Sequence, residues 1–214
     1  MTVLSERNLG TTQKRILQTL LQANAPLPVE ALTKTLSISR NATYQHMMAL
    51  ERDGLIERAT IAQTKGRPSQ TYRLTEQGRD FFPKHYALFA NLLIGVVKNK
   101  LGSDELRASL DELGSVLAQD FIERTKGLEG QALFQEVSNI LGELGYESEC
   151  VPSADHRDIE IQAHNCVFHD LAKEHEEVCA LDIALISRLT GVQIEQSECV
   201  VRGGNCCRFR ALKK

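Results

Sequence analysis

The sequence predicts a mainly α-helical chain that closes in a smaller α+β region. Three observations lead there. Apolar residues recur at helical spacing through most of the first 145 positions. From Gly145 onward short strand-like runs alternate with helices. All six cysteines, Cys150, Cys166, Cys179, Cys199, Cys206 and Cys207, fall within the last 65 residues. Thiols gathered in one region but spaced too widely for one loop must be brought together by folding. Such an arrangement points to a soft-metal or redox site in a C-terminal domain.

The elements follow in order. In residues 11–22, Ile16, Leu17, Leu20 and Leu21 share one helical stripe. Ala25-Pro26-Leu27-Pro28 breaks the chain, and Val29–Thr35 forms a second short helix with Pro28 at its first turn. Leu36-Ser37-Ile38 is a turn. Ser39 then caps a third helix, which runs to about Arg52 and ends at Asp53-Gly54. Thr43, Met47 and Leu50 face its core, leaving Arg40, Asn41, Tyr44, Gln45 and Met48 outward. Two strands, Glu57–Ile61 and Ser69–Leu74, flank a basic tip, Lys65-Gly66-Arg67-Pro68. Thr75 caps the helix beginning at Glu76.

The outward set of the third helix suits a DNA groove. An arginine can meet guanine or phosphate, Asn and Gln can pair with base edges, and Tyr can reach a phosphate or a thymine methyl. The basic tip suits a minor groove or the sugar–phosphate backbone. The candidate DNA-binding residues are therefore Ser39, Arg40, Asn41, Tyr44, Gln45, Lys65 and Arg67. Charge agrees: residues 1–80 carry +4 and residues 81–214 carry −7, within a net −3. Ser39-Arg40-Asn41-Ala42-Thr43, with His46, Leu50 and Gly54-Leu55, and the tip followed by Tyr72-Arg73-Leu74-Thr75, resemble the winged helix-turn-helix regulators of the ArsR/DeoR-like grouping.

His85 to about Lys100 is apolar on most of its surface, with Tyr86, Leu88, Phe89, Leu92, Leu93, Val96 and Val97, so it is expected to be buried. A helix following a DNA-binding domain is well placed to pair with its twofold mate. A homodimer would set two recognition helices about 34 Å apart on an inverted-repeat operator in double-stranded DNA. Two further helical runs carry Leu106, Leu110, Leu113, Leu117 and Phe121, then Leu133, Val137, Ile140, Leu141 and Leu144, and Gly127–Gly130 separates them. Both runs read as core.

In the cysteine region, 147–151 and 158–163 read as strands. A helix follows over 170–176, then a longer one from Cys179 to about Thr190. Val192–Val201, containing Cys199, and Cys206–Arg210 read as a hairpin turned by Gly203-Gly204-Asn205. Side chains alternate along a strand, so Cys206 and Cys207 cannot both face inward. The motifs Asn165-Cys166-x-x-His169, Cys179-Ala180-Leu181-Asp182 and the closing Gly-x-x-Cys-x-Phe resemble the SufR-type iron–sulfur repressors. This resemblance implies an iron–sulfur cluster, 4Fe-4S ahead of 2Fe-2S, with Cys166, Cys179 and Cys207 as metal ligands. Cys199 is the fourth ligand of choice, with Cys206 and His169 next, and Cys150 is read as an ordinary buried thiol. Zinc would also use four thiolates, yet it favours a tight Cys-x-x-Cys knuckle, which is absent. A dithiol switch leaves several cysteines unexplained.

The expected domains are a winged helix-turn-helix at 10–82, a helical linker and dimerisation segment at 83–126, and a sensor domain at 127–214. The expected function is a DNA-binding transcriptional regulator, in the first place a repressor, controlled by the cluster. Its alternative is a small-molecule-responsive regulator with a structural zinc or a thiol redox switch. No glycine-rich nucleotide loop, nucleophile elbow or paired carboxylates mark an enzyme. His164, His169 and His175 lie close in sequence, as loop and helix histidines commonly do. The start lacks a signal-peptide layout, and Tyr86–Val97 is short of the roughly 20 residues of a membrane span. A cytoplasmic location without membrane attachment is expected, where thiols stay reduced.

Overall fold

The computed structural model describes residues 9–59, 70–153 and 159–212. The chain folds as two compact units, Met1–Lys84 and His85–Lys214.

In the first unit, α1 (Thr11–Ala23), α2 (Val29–Leu36) and α3 (Arg40–Arg52) pack against a small antiparallel sheet of β1 (Leu27–Pro28), β2 (Ile56–Ala59) and β3 (Thr71–Leu74), in the order β1-β3-β2. Helix α4 (Glu76–Asp80) follows. The α1 stripe buries Ile16, Leu17 and Leu20, whereas Leu21 lies at its exposed edge. As the spacing predicts, Ser39 Oγ accepts from Ala42 N–H at 3.2 Å and Thr75 Oγ1 from Gly78 N–H at 2.9 Å, each satisfying an orphan donor of a helix start. Thr43, Met47 and Leu50 are fully buried. Thr33 and Thr43 hydroxyls meet at 3.1 Å, tying α2 to α3. The segment Leu27-Pro28, read from sequence only as a break, instead pairs with Tyr72 and Thr71 of β3. Pro28 lies on the edge strand, where its missing N–H costs the ladder least.

The second unit contains α5 (Tyr86–Leu101), α6 (Ser103–Ala118), α7 (Ile122–Thr125), α8 (Gly130–Glu143), β4 (Ser148–Pro152), β5 (Ile159–Ala163), α9 (His169–Glu174), α10 (Cys179–Thr190), β6 (Ile194–Glu198) and β7 (Cys207–Ala211). Short 3₁₀ turns occupy Glu176–Val178 and Val200–Arg202. The four strands form an antiparallel sheet in the order β4-β5-β7-β6. Ile161 pairs with Phe209 and Ala163 with Cys207, and all four are buried beside Ile140, Leu141, Leu185 and Ile194.

Three expectations are corrected here. Helix α5 has no buried residue, and Phe89 and Leu92 are 67% and 63% exposed. Only its other face, with Ile94 and Val97, packs on the core. Leu113 likewise points outward from α6. Finally, Cys199 does not lie within a strand. The register of β6 shifts between Gln196 and Glu198, the strand ends there, and Cys199 leads into the 3₁₀ turn.

Helices α6 and α10 pack against each other, and at Gly114 the α10 backbone comes close. A Cβ there would stand 2.3 Å from the Leu181 carbonyl oxygen and 2.9 Å from Ala184 Cβ. Gly114→Ala gains about 1 kcal/mol of helix propensity. Overpacking costs about 1–3 kcal/mol, and backbone cannot swing aside as a side chain does. The variant is therefore expected to melt at lower temperature than the parent, as followed by circular dichroism.

Candidate functional site

The first candidate site is the outer face of α3. Asn41, Gln45 and Met48 are exposed there. Arg40 is exposed as well, but its guanidinium lies 2.8 Å from Glu30 and 5.6 Å from the centre of the Tyr44 ring. Tyr44 is half-buried against the core, so it presents an edge rather than a free side chain. An exposed ion pair such as Arg40–Glu30 contributes about 0–1 kcal/mol and yields readily to a phosphate. Ser39 contributes the cap that fixes the helix start. Lys65 and Arg67 lie outside the described residues.

The second candidate site is built from the cysteines. Cys166 lies in the turn between β5 and α9. Asn165 fixes that turn by accepting from Glu147 N–H at 2.5 Å and donating to the Gly145 carbonyl at 2.9 Å. Cys179 opens α10, and Cys207 opens β7 opposite Ala163. Cys199 ends the β6 ladder. Around it the Gly203-Gly204 turn closes, with Gly204 N–H donating to the Cys199 carbonyl at 2.9 Å. No Cβ fits at Gly204, where Cys199 O would stand at 2.9 Å and Glu198 Cγ at 2.6 Å.

These four thiols lie near enough to influence one another's protonation: Cys199 raises Cys166, Cys179 and Cys207, and Cys166 raises Cys179 and Cys207. Burial raises the Cys166, Cys179 and Cys207 thiols above their ordinary range, and the neighbouring sulfurs add to it. Cys199 differs. Burial pushes it up as well, but hydrogen bonds from the Arg202 guanidinium and from the Arg202 and Val201 amides hold it below the ordinary thiol value. A groove of about 330 Å³, lined by Gln196, Glu198, Cys199, Arg202, Gly203 and Gly204, opens beside it. Among the described residues, no three of His, Cys, Asp and Glu already stand in a metal-holding arrangement.

The other candidates sit apart from Cys199. Cys206 precedes β7 and is also buried, contrary to the expectation that only one of the pair faces inward; it lies 3.6 Å from Glu198 Oε2 and 3.8 Å from Arg208. His169 starts α9, half-buried, its N–H closing on the Cys166 carbonyl at 3.1 Å. Cys150 is half-buried on β4 opposite Ile161, rather than fully enclosed.

Sequence reasoning missed three residues of this site. Arg202 polarises Cys199. Tyr146 donates its O–H to Asp182 Oδ1 at 2.5 Å, and Asp182 itself is 4% exposed. The available signal was a single carboxylate on the apolar face of α10, three residues after Cys179.

Burial raises the Asp182 carboxyl from 3.8 to about 6, against the opposing pull of the Tyr146 hydrogen bond. The folded chain thus holds this proton more tightly than the unfolded one. Its contribution is full below pH 4 and is lost as pH rises through 6, a difference of about 3 kcal/mol. Urea titrations of the metal-free protein are expected to show this falling limb between pH 4 and 6, and Asp182→Asn to remove it.

Residues 14–93 match the family described as winged helix DNA-binding domain. No curated protein matches the chain. Two solved structures of ZitR from Lactococcus lactis resemble part of it. A cysteine-to-serine mutant of ZitR is 22% identical, over 56% of this chain and 80% of that one, with TM-score 0.31. The wild type in complex with DNA is 21% identical, over 56% and 81%, with TM-score 0.30. Among the described residues no helix is long and apolar enough to cross a membrane. The first unit is a winged-helix DNA-binding domain.

Proposed function

We propose that this winged-helix chain is a homodimeric transcriptional regulator, in the first place a repressor, whose grip on an inverted-repeat operator is set by an iron–sulfur cluster in the second unit. The observation that carries this reading is the mutual electrostatic influence of Cys166, Cys179, Cys199 and Cys207, although they come from separate elements. A donor set of soft thiols, enclosed by the core and closed off by a glycine turn, fits an iron–sulfur centre. Those four residues would hold it, a 4Fe-4S form being preferred to 2Fe-2S. When bound, the cluster supplies a centre sensitive to oxidants and to iron supply, and it replaces the protons that the thiols carry.

The chain's own residues carry the response. Cys166 and Cys179 flank α9, and the 3₁₀ turn just before Cys179 is tied to α5, with Glu177 at 2.8 Å from Lys98 and His175 Nε2 at 3.3 Å from the Asn91 carbonyl. Drawing the thiols together therefore pulls on α5. Its exposed residues Phe89, Leu93 and Val96 follow the heptad spacing of a two-helix seam, so the occupant of that face is α5 of a second copy. At the DNA, Arg40, Asn41, Tyr44 and Gln45 read or position, with Ser39 fixing the helix and the basic Lys65 and Arg67 adding charge for the backbone.

Anaerobic reconstitution with iron and sulfide, followed by visible spectra, metal analysis and gel shifts on an inverted repeat, tests the proposal. The expected result is a coloured protein whose operator affinity changes on chelation. Equal affinity in both forms refutes the coupling, and a colourless zinc protein refutes the cluster. The lowered Cys199 thiol, beside the raised Cys179 and Cys207 thiols that it influences, favours, as a second reading, a thiol switch. It predicts a metal-free protein that forms one disulfide through Cys199.

A further inference from the structure

We propose that Met48 is a specificity-determining residue of the DNA-binding unit, its thioether side chain packing on the methyl group of a thymine in the major groove. This role rests on DNA binding by the first unit and is independent of the cluster. Among the described residues of that unit, two large apolar side chains are exposed, Leu21 at 37% and Met48 at 66%. Leu21 edges the buried stripe of α1, so its exposure follows from packing. Met48 stands on the far side of its helix from the core. At about 100° per residue, Asn41, Gln45, Met48 and Arg52 fall within an arc of about 60°. The buried residues Thr43, Met47 and Leu50 lie on the opposite side. Met48 is thus an apolar side chain set within a stripe of exposed polar ones.

The chemistry of the groove identifies what that side chain meets. Base edges in the major groove offer hydrogen-bonding groups, and the apolar group among them is the C5 methyl of thymine. Asn41 and Gln45, the exposed amides of the same stripe, suit adenine, the pairing partner of thymine. A run of A·T pairs therefore serves all three side chains. Seven residues separate Asn41 from Met48, about 10 Å along the helix axis, or about three base pairs at about 3.4 Å each. Recognition helices read bases over such a span. A methionine is unbranched and polarisable, so it adapts to a methyl whose position shifts with the tilt of the helix in the groove. Arg40 and Tyr44, engaged with Glu30 and with the core, flank the stripe and leave its centre open.

The test uses the full chain, both metal-free and reconstituted with iron and sulfide, so that neither state of the second unit hides the result. The probe is a duplex that the parent selects from a random pool. Its thymines are then replaced singly by deoxyuridine, which keeps the base pair and loses only the methyl. For the parent, one such replacement in a half-site is expected to weaken binding about fourfold, the worth of one buried methyl-sized group. That thymine is expected about three base pairs from the position whose preference Asn41→Ala relaxes. Met48→Ala is expected to bind the thymine duplex about fourfold more weakly per half-site and to make no distinction between thymine and deoxyuridine there. Met48→Leu is expected to keep the distinction, a rescue that separates contact with the methyl from a change in the helix. Both variants are expected to melt with the parent, since the side chain faces solvent. A parent indifferent to every deoxyuridine, or Met48→Ala distinguishing the two bases as the parent does, overturns the proposal and leaves DNA recognition intact. A parent that selects no duplex in either state refutes sequence recognition by the first unit, and the role of Met48 with it.

Discussion

Lys98→Met is expected to destabilise the second unit by about 3–5 kcal/mol, the cost of leaving a buried charge without its partner. Glu177 is 2% exposed, with Oε1 at 2.8 Å from Lys98 Nζ and Oε2 buried without a hydrogen-bond partner among the described residues. Burial alone would push the Glu177 carboxyl up. The Lys98 ammonium, its own amide and the Ser103 hydroxyl outweigh that and bring it to about 2. Because the folded value lies below the ordinary 4.5, the pair stabilises the fold above pH 4.5, and that contribution is lost as pH falls toward 2. Urea unfolding at pH 7 checks the size. The double change Lys98→Met with Glu177→Gln is expected to recover most of the loss, since it removes the orphaned charge together with its partner. A single variant as stable as the parent would show that water reaches Glu177.

The second large effect belongs to α5. Phe89→Glu with Leu93→Glu is expected to turn the proposed dimer into monomers without unfolding the chain, because both side chains already face solvent in the single copy. Burying each against a twin helix contributes about 1.5–3 kcal/mol, and like charges across the seam reverse it. Two linked winged helices bind a two-half-site operator with an avidity of about 10²–10⁴ over one. The variant is expected to lose an advantage of that order on an inverted repeat while binding a single half-site unchanged. Light scattering together with gel shifts on both DNAs measures it, and a variant that remains dimeric would place the interface elsewhere.

Much of the first unit was legible because local rules decide it. Ser39 and Thr75 are caps by chemistry, Pro28 marks the start of α2, and Thr43, Met47 and Leu50 fall on one helical face. Strand β1 was not legible, since two residues carry no periodicity and only Tyr72 and Thr71 opposite them make a strand. On α5 the composition announced burial but could not divide the helix into a face that packs within the chain, with Ile94 and Val97, and a face that does not. In the cysteine region the expectation that only one of Cys206 and Cys207 faces inward fails, because β7 begins at Cys207 and both thiols are buried, and the end of β6 before Cys199 depends on a register shift that no local pattern marks.

By itself the sequence determined the periodic and capped elements, the concentration of thiols in the last 65 residues and the basic character of the first eighty. Periodicity, capping and charge are properties of neighbouring residues. Tertiary structure alone decided that Arg202 polarises Cys199 and that Asp182 is buried beneath the Tyr146 hydroxyl. Those facts depend on contacts between residues far apart in the chain, and on a desolvation that only the completed core imposes.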